Sequence, residues 1–211
     1  MSSPITRNAL ILSAFALVCT AMIVSVQQST KQRIQLEQDR AFARMLSEVL
    51  PIESYDNLIA QNCIYVSDAN KLGTNKPTKW YRASKSNKPV AVIAESIAPD
   101  GYSGEIRLLV GIYMDGHIAG VRVTHHKETP GLGDKIEVQK HPWITQFKGL
   151  SLTPPETKKW AVKKDGGEFD AFAGATVTPR AVLASLQRTL LYFAENQSDI
   201  FQQENACEYK P

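Results

Sequence analysis

The sequence predicts an α+β domain, with a mainly antiparallel sheet and flanking helices, behind a single N-terminal transmembrane helix. Three observations predict it: an uncharged apolar run over residues 8–30, apolar segments flanking Asp115-Gly116, and a helical stripe that opens after Thr178-Pro179. A chain of 211 residues suits one domain of ordinary size plus an anchoring element. At 43% hydrophobic and 21% charged it has material for a packed core, which argues against global disorder. The net charge of +3 is small and dispersed, and no run of Lys and Arg is interleaved with aromatics, so no nucleic-acid partner is expected.

Residues 1–7 read as a short tail and residues 8–30 as the anchor. The apolar heart of that run, residues 9–26, would cover roughly 27 Å as a helix, close to the hydrocarbon thickness of a bilayer. It has no polar face, unlike an ordinary core helix. A cleaved signal peptide is the competing reading, but Ala21-Met22-Ile23-Val24-Ser25 offers no clean cleavage site. Val18 before Cys19 gives no lipoprotein context either. Flanking charge leaves orientation open, since Arg7 lies on one side and Lys31 and Arg33 on the other.

Residues 31–50 read as an amphipathic linker helix with Phe42, Met45, Leu46, Val49 and Leu50 on one stripe and Pro51 as its stop. Residues 51–211 then form the domain. Residues 70–77, with Gly73 and Pro77, read as a loop. A strand is expected over residues 90–98, followed by turn chemistry at Pro99-Asp100-Gly101. Residues 106–114 and 118–124 flank Asp115-Gly116 as a hairpin. Trp160-Ala161-Val162-Lys163 reads as a further strand ahead of a Gly166-Gly167 turn. The last helix, residues 179–195, would bury Val182, Leu183, Leu186, Leu190 and Phe193. Cys63 and Cys207 bracket the domain, and could form a disulfide suited to an oxidising compartment or stand as two free thiols.

Two loops carry the chemistry. Asp170-Ala171-Phe172-Ala173-Gly174-Ala175-Thr176 delivers a hydroxyl through small residues to a helix start, where backbone N–H groups and the helix dipole favour a phosphate. Thr178 is the expected N-cap, and Pro179 fits the first turn. Glu128-Thr129-Pro130-Gly131-Leu132-Gly133-Asp134-Lys135 is a constrained turn whose glycines permit close approach to a ligand. A tight connection with a solvated Glu128–Lys135 ion pair is the plainer reading of it. His125 and His126 would point to opposite faces of a strand, a poor geometry for a shared metal, and His117 and His141 read as surface residues. No metal site is expected. Trp143, Phe147 and Trp160 read as core. No nucleophilic triad is visible.

Together the two loops resemble the FMN-binding domains shared by the Rnf ion-translocating oxidoreductase and the sodium-pumping NADH:quinone oxidoreductase, in which E-T-P-G-L-G and D-x-x-[ST]-G-A-T recur behind one membrane helix. The first motif is intact at Glu128 to Gly133; in the second, Ala173 stands where Ser or Thr is usual. Pro99-Asp100-Gly101-Tyr102-Ser103-Gly104 and Trp160-Ala161-Val162-Lys163-Lys164-Asp165-Gly166-Gly167 make the likeness strongest to the G-subunit family of the Rnf (Rsx) complex. The resemblance implies an electron-carrying subunit of a membrane translocase, inactive alone, with FMN joined through its phosphate to Thr176 by a flavin transferase. It also implies partner subunits, a lipid bilayer, and a single pass of the bacterial inner membrane with the domain on the periplasmic side. Asp170, Gly174, Ala175, Thr178, Glu128, Thr129, Gly131, Leu132, Gly133 and Lys135 are then the expected flavin neighbours. Gly131 and Gly133 would donate N–H groups, and Lys135 would stabilise a reduced flavin anion; Lys163 and Lys164 are weaker candidates for that charge. The alternatives are a C subunit of the sodium-pumping reductase and an anchored, non-flavinylated interaction module.

Overall fold

The structure is a computed structural model that describes residues 4–152 and 160–207. It divides into two compact units, Met1–Arg44 and Met45–Pro211. Helix α1 spans Pro4–Val49. Residues 4–7, expected as a tail, are its first turns, and no break separates the expected anchor from the expected linker, because nothing between Pro4 and Pro51 interrupts a helical backbone. Its apolar portion has a mean hydropathy of 2.5 and is long enough to cross a membrane.

The second unit is built on a five-stranded antiparallel meander in chain order: β1 (Cys63–Asp68), β2 (Thr74–Lys85), β3 (Lys88–Gly101), β4 (Gly104–Tyr113) and β5 (Ile118–His125). The α+β class and antiparallel sheet are as expected. Several local expectations are corrected. Residues 70–77 are not a loop: a four-residue helix α2 (Ala69–Leu72) ends at Gly73 and β2 begins at Thr74. Asp68 caps α2 by accepting from the Asn70 and Lys71 N–H groups. Pro77 is tolerated in β2 because it lies where the β1–β2 register shifts, between Val66 and Asp68. Pro99-Asp100-Gly101 remains in β3, and the turn is Tyr102-Ser103, since Gly101 still pairs with Gly104. The expected strand at residues 160–163 is only a bridge between Val162 and Phe169, followed by a 3₁₀ turn over Lys163–Asp165.

Both faces of the sheet are covered. Paired residues across an antiparallel ladder share a face, so Trp80, Ala94, Val110 and Val121 face one way and Tyr81, Ile93, Gly111 and Gly120 the other. The first set packs against helix α3 (Val177–Gln202), whose buried face includes the expected Val182, Leu183, Leu186, Leu190 and Phe193. The second set receives the end of α1. Leu46, Val49 and Leu50 are buried there, and Val49 lies directly over Gly111 and Gly120. A Cβ on Gly120 would come within 2.7 Å of the Val49 carbonyl oxygen, and one on Gly111 within 2.9 Å. Bare backbone at this paired position therefore lets the helix end seat on the sheet. Arg122 Nε donates to Glu48 Oε2 at 2.8 Å beside it.

Helix α3 is fixed at its far end by Arg82, a buried cation on β2 that donates to the Gln203 and Ile200 carbonyls at 2.7 and 3.3 Å. This places positive charge at the negative end of the helix dipole, and burial lowers the pKa of that guanidinium. Cys63 at the start of β1 forms a disulfide with Cys207, with Cα atoms 5.2 Å apart, and Ala206 N donates to Cys63 O at 2.8 Å.

Two stability outcomes follow from this packing. Gly120→Ala should destabilise the fold by about 1–3 kcal/mol through overpacking. Each kcal/mol lowers the midpoint by about 2–4 °C in a chain of this size, read by circular-dichroism melting in detergent. Cys207→Ser should cost about 2–5 kcal/mol in the same assay, because it releases the loop that the disulfide closes.

Candidate functional site

The loop after β5 and the entrance to α3 meet at one cavity of about 280 Å³. Its lining includes Glu128, Thr129, Leu132 and Gly133 from the first loop, and Gly174, Ala175, Thr176 and Thr178 from the second. Tyr102 and Val177 complete it. Two loops far apart in the chain thus form the walls of one cleft.

The joint between them is the Glu128 carboxylate, which is 4% exposed. Its Oε2 accepts a hydrogen bond from the Thr178 hydroxyl, and its Oε1 accepts from Ser103 N at 3.0 Å. One side chain thus ties the β3–β4 turn, the first loop and the first turn of α3. The glycines around it are required by space. A Cβ on Gly133 would lie 2.8 Å from both Glu128 Oε2 and Thr178 Oγ1; on Gly101 it would lie 2.2 Å from Gly104 O and 3.0 Å from Glu128 Oε1.

The first loop is braced from behind. Glu128 N donates to His126 Nδ1 at 3.0 Å, which leaves Nε2 of the neutral ring to carry the hydrogen toward Glu137 Oε1 at 2.7 Å. Lys140 Nζ reaches Glu137 Oε1 and Asp134 Oδ2, each at 2.9 Å. These contacts, Lys140 foremost for both carboxyls, hold Glu137 and Asp134 below their usual range and raise Lys140. The N–H groups of Leu132 and Gly133 both donate to Thr129 O at 3.1 Å.

The second loop is a turn over Phe172 to Ala175, closed by Ala175 N donating to Phe172 O at 3.0 Å. Gly174 has φ +79°, the region a type II turn requires at its third position. Ala173 is exposed at the second position, so this geometry does not depend on a hydroxyl there. Aromatic packing holds the approach: Trp143 Nε1 donates to Asp170 O at 2.8 Å, and the Trp143 ring lies edge-on to Phe172 with centroids 5.2 Å apart. Phe147 stacks on Trp160, so all three of Trp143, Phe147 and Trp160 are core.

Several residues have different roles from those expected. Thr178 is not the N-cap. Helix α3 begins at Val177, and Thr176 occupies the cap position without a side-chain capping bond. Thr178 is fully buried and bonded to Glu128 instead, a tertiary contact that outcompetes local capping. Glu128 does not pair with Lys135; neither Lys135 nor Gly131 lines the cavity, and the Gly133 N–H is engaged by Thr129. Asp170 is exposed outside the cavity and pairs with Lys163 at 2.7 Å. Among the histidines, His126 braces the loop and His141 caps the turn over Pro142–Phe147 by accepting from Trp143 N. Among the described residues no group of His, Cys, Asp and Glu could hold a metal. Tyr102, Ser103 and Val177 join the site from outside the expected set. The segment around Tyr102 stands out in sequence, but its pairing with the cavity depends on the long-range Glu128–Ser103 bond.

The family model for the FMN-binding domain matches residues 101–191, which contain the whole cavity, and that for the RnfG N-terminal region matches residues 1–49. The chain is 46% identical to the G subunit of the ion-translocating oxidoreductase complex of Shewanella loihica, over 99% of this chain and 98% of that protein. It is 44% identical to the corresponding G subunit of Pseudoalteromonas atlantica and 43% to that of Vibrio cholerae, covering 98% and 99% of this chain and 96% and 99% of theirs. The crystal structure of Shewanella oneidensis NqrC overlaps 67% of this chain and 66% of that one at 23% identity, with a TM-score of 0.44.

Two outcomes test the joint. Glu128→Ala should orphan the Thr178 hydroxyl and the Ser103 N–H, at about 1–3 kcal/mol for each buried group left unpaired, measured as a fall in melting temperature. The brace behind it should respond to acid. A carboxyl with a lowered folded pKa stabilises fully above its ordinary value of about 4, and that contribution is lost as pH falls from there through the lowered value. The stability gap between wild type and Lys140→Met should therefore be full near neutrality and shrink progressively below that point, as read from melting curves across pH.

Proposed function

Given that this chain belongs to the G-subunit family of ion-translocating oxidoreductase complexes, and is an electron-carrying subunit of such a complex, we propose that the electrons pass through an FMN joined by its phosphate to the Thr176 hydroxyl. The observation that carries the attachment is the contrast between the two hydroxyls at the start of α3. Thr178 is buried and donates to Glu128, whereas Thr176 lines the cavity and makes no capping bond.

The residues fit the group. A phosphate on Thr176 lies at the N-terminus of a 26-residue helix, where uncapped N–H groups and the dipole favour negative charge. Gly174 and Ala175 add almost no bulk beside it; a Cβ on Gly174 would touch only Leu132, at 3.5 Å. FMN supplies the electron acceptance and donation that protein side chains lack. The chain's part is to hold it, through Thr176, in a cleft whose two walls Glu128 keeps together. The exposed Ala173 leaves the turn intact, which supports attachment despite the departure from the family motif.

A flavin transferase would install the flavin, and the apolar part of α1 would hold the chain in the bacterial inner membrane by a single pass. The Cys63–Cys207 disulfide supports placing the domain on the periplasmic side, where such bonds persist. The remaining steps of the translocase reaction fall to the neighbouring subunits.

After co-expression with the transferase, wild type should give a fluorescent band in a denaturing gel and Thr176→Ala a dark one. Thr178→Val should remain fluorescent. A bright Thr176→Ala band would overturn the assignment.

A further inference from the structure

Three apolar side chains stand exposed around the mouth of the cavity: Tyr102 at 71%, Leu132 at 41% and Val177 at 41%. Scattered exposed hydrophobics are ordinary on a protein surface, but a group ringing one concave site marks a place where something apolar is covered. Each is on a segment whose backbone is held. Tyr102 is in the two-residue β3–β4 turn, fixed by the bond from Ser103 N to Glu128 Oε1. Leu132 is in the braced first loop, where its N–H donates to Thr129 O. Val177 is the first residue of α3. A tyrosine on a pinned turn presents a flat, amphipathic surface with little conformational freedom left to lose, the form of side chain that stacks on a planar ring.

We propose that Tyr102 is a cofactor-positioning residue, whose phenol stacks on the isoalloxazine ring of the flavin while Leu132 and Val177 pack against its edges. This rests on the attachment of FMN at Thr176. The occupant follows from that tether: a group bonded to Thr176 starts inside the same cavity that the three side chains rim. Tyr102 thereby fixes the ring's orientation and shields one of its faces from water. Glu128 acts on the flavin through it, because the carboxylate that buries Thr178 also sets the turn carrying Tyr102.

An electron-rich aromatic ring in contact with a flavin quenches its fluorescence, so the contact can be read without enzymatic turnover. The full chain, flavinylated by co-expression with the transferase and kept in detergent, would be measured as wild type, Tyr102→Ala and Tyr102→Trp. Flavin emission of each folded sample is divided by that of the same sample after denaturation, which removes tertiary contacts but keeps the covalent bond. Tyr102→Ala should raise the ratio several-fold, and Tyr102→Trp should return it to the wild-type level, with equal in-gel fluorescence in all three. Equal ratios in wild type and Tyr102→Ala, with equally bright gel bands, would overturn the stacking role while leaving the attachment standing; the rim would then face a partner subunit. A dark wild-type band in the denaturing gel would overturn the attachment, and the stacking role with it.

Discussion

The site depends on one buried carboxylate. Glu128 reaches three separated parts of the chain at once: the Tyr102-Ser103 turn, its own loop, and the first turn of α3. Burying such a group requires that its oxygens be satisfied, and both are, by a backbone N–H and by the Thr178 hydroxyl. The consequence for chemistry is a division of labour between two threonines two residues apart. Thr178 is committed to structure, whereas Thr176 lines the cleft without a side-chain capping bond. Glu128 also sits near the positive end of α3, as Arg82 sits at its negative end, so the helix that presents Thr176 is held at both termini by dipole-complementary groups.

The second constraint is backbone contact where side chains would not fit. Gly111 and Gly120 are paired across β4 and β5, and they admit the end of α1 to the sheet. Gly101 and Gly133 do the same for the Glu128 carboxylate. Gly111, Gly120 and Gly133 are explained by a close approach from a distant part of the chain, whereas Gly101 is also held to glycine by the Gly104 carbonyl across its own turn. The last turn of α1 and the whole of α3, which opens at the cleft, thus cover opposite faces of the same sheet.

Much of this is legible in the sequence where the signal is local. The uncharged run in α1, the Asp115-Gly116 hairpin and the apolar stripe of α3 all reflect periodicity within one element. The family motifs locate both loops of the cleft. What stays hidden is tertiary. Strands β1 and β2 escape notice because β2 begins with the polar Thr74-Asn75-Lys76 and contains Pro77, which only a register shift accommodates. Capping is the best local use of a hydroxyl before Pro179, and it fails for Thr178 because Glu128, far away in the chain, offers a buried acceptor. Lys135, just after the first motif, and Asp170, the first residue of the second, are both placed outside the cavity by the fold, with Asp170 turned to Lys163. Tyr102 can be noticed but not placed, since only the Ser103–Glu128 bond brings its turn to the cleft.

With Thr178 held by Glu128, the proposed attachment of FMN falls to Thr176. Peptide mapping by tandem mass spectrometry of the wild-type chain, co-expressed with the flavin transferase, tests this most directly. The predicted result is FMN in phosphoester linkage on Thr176, with Thr178 in the same peptide unmodified. Flavin on Thr178, or no flavin on that peptide, would contradict it.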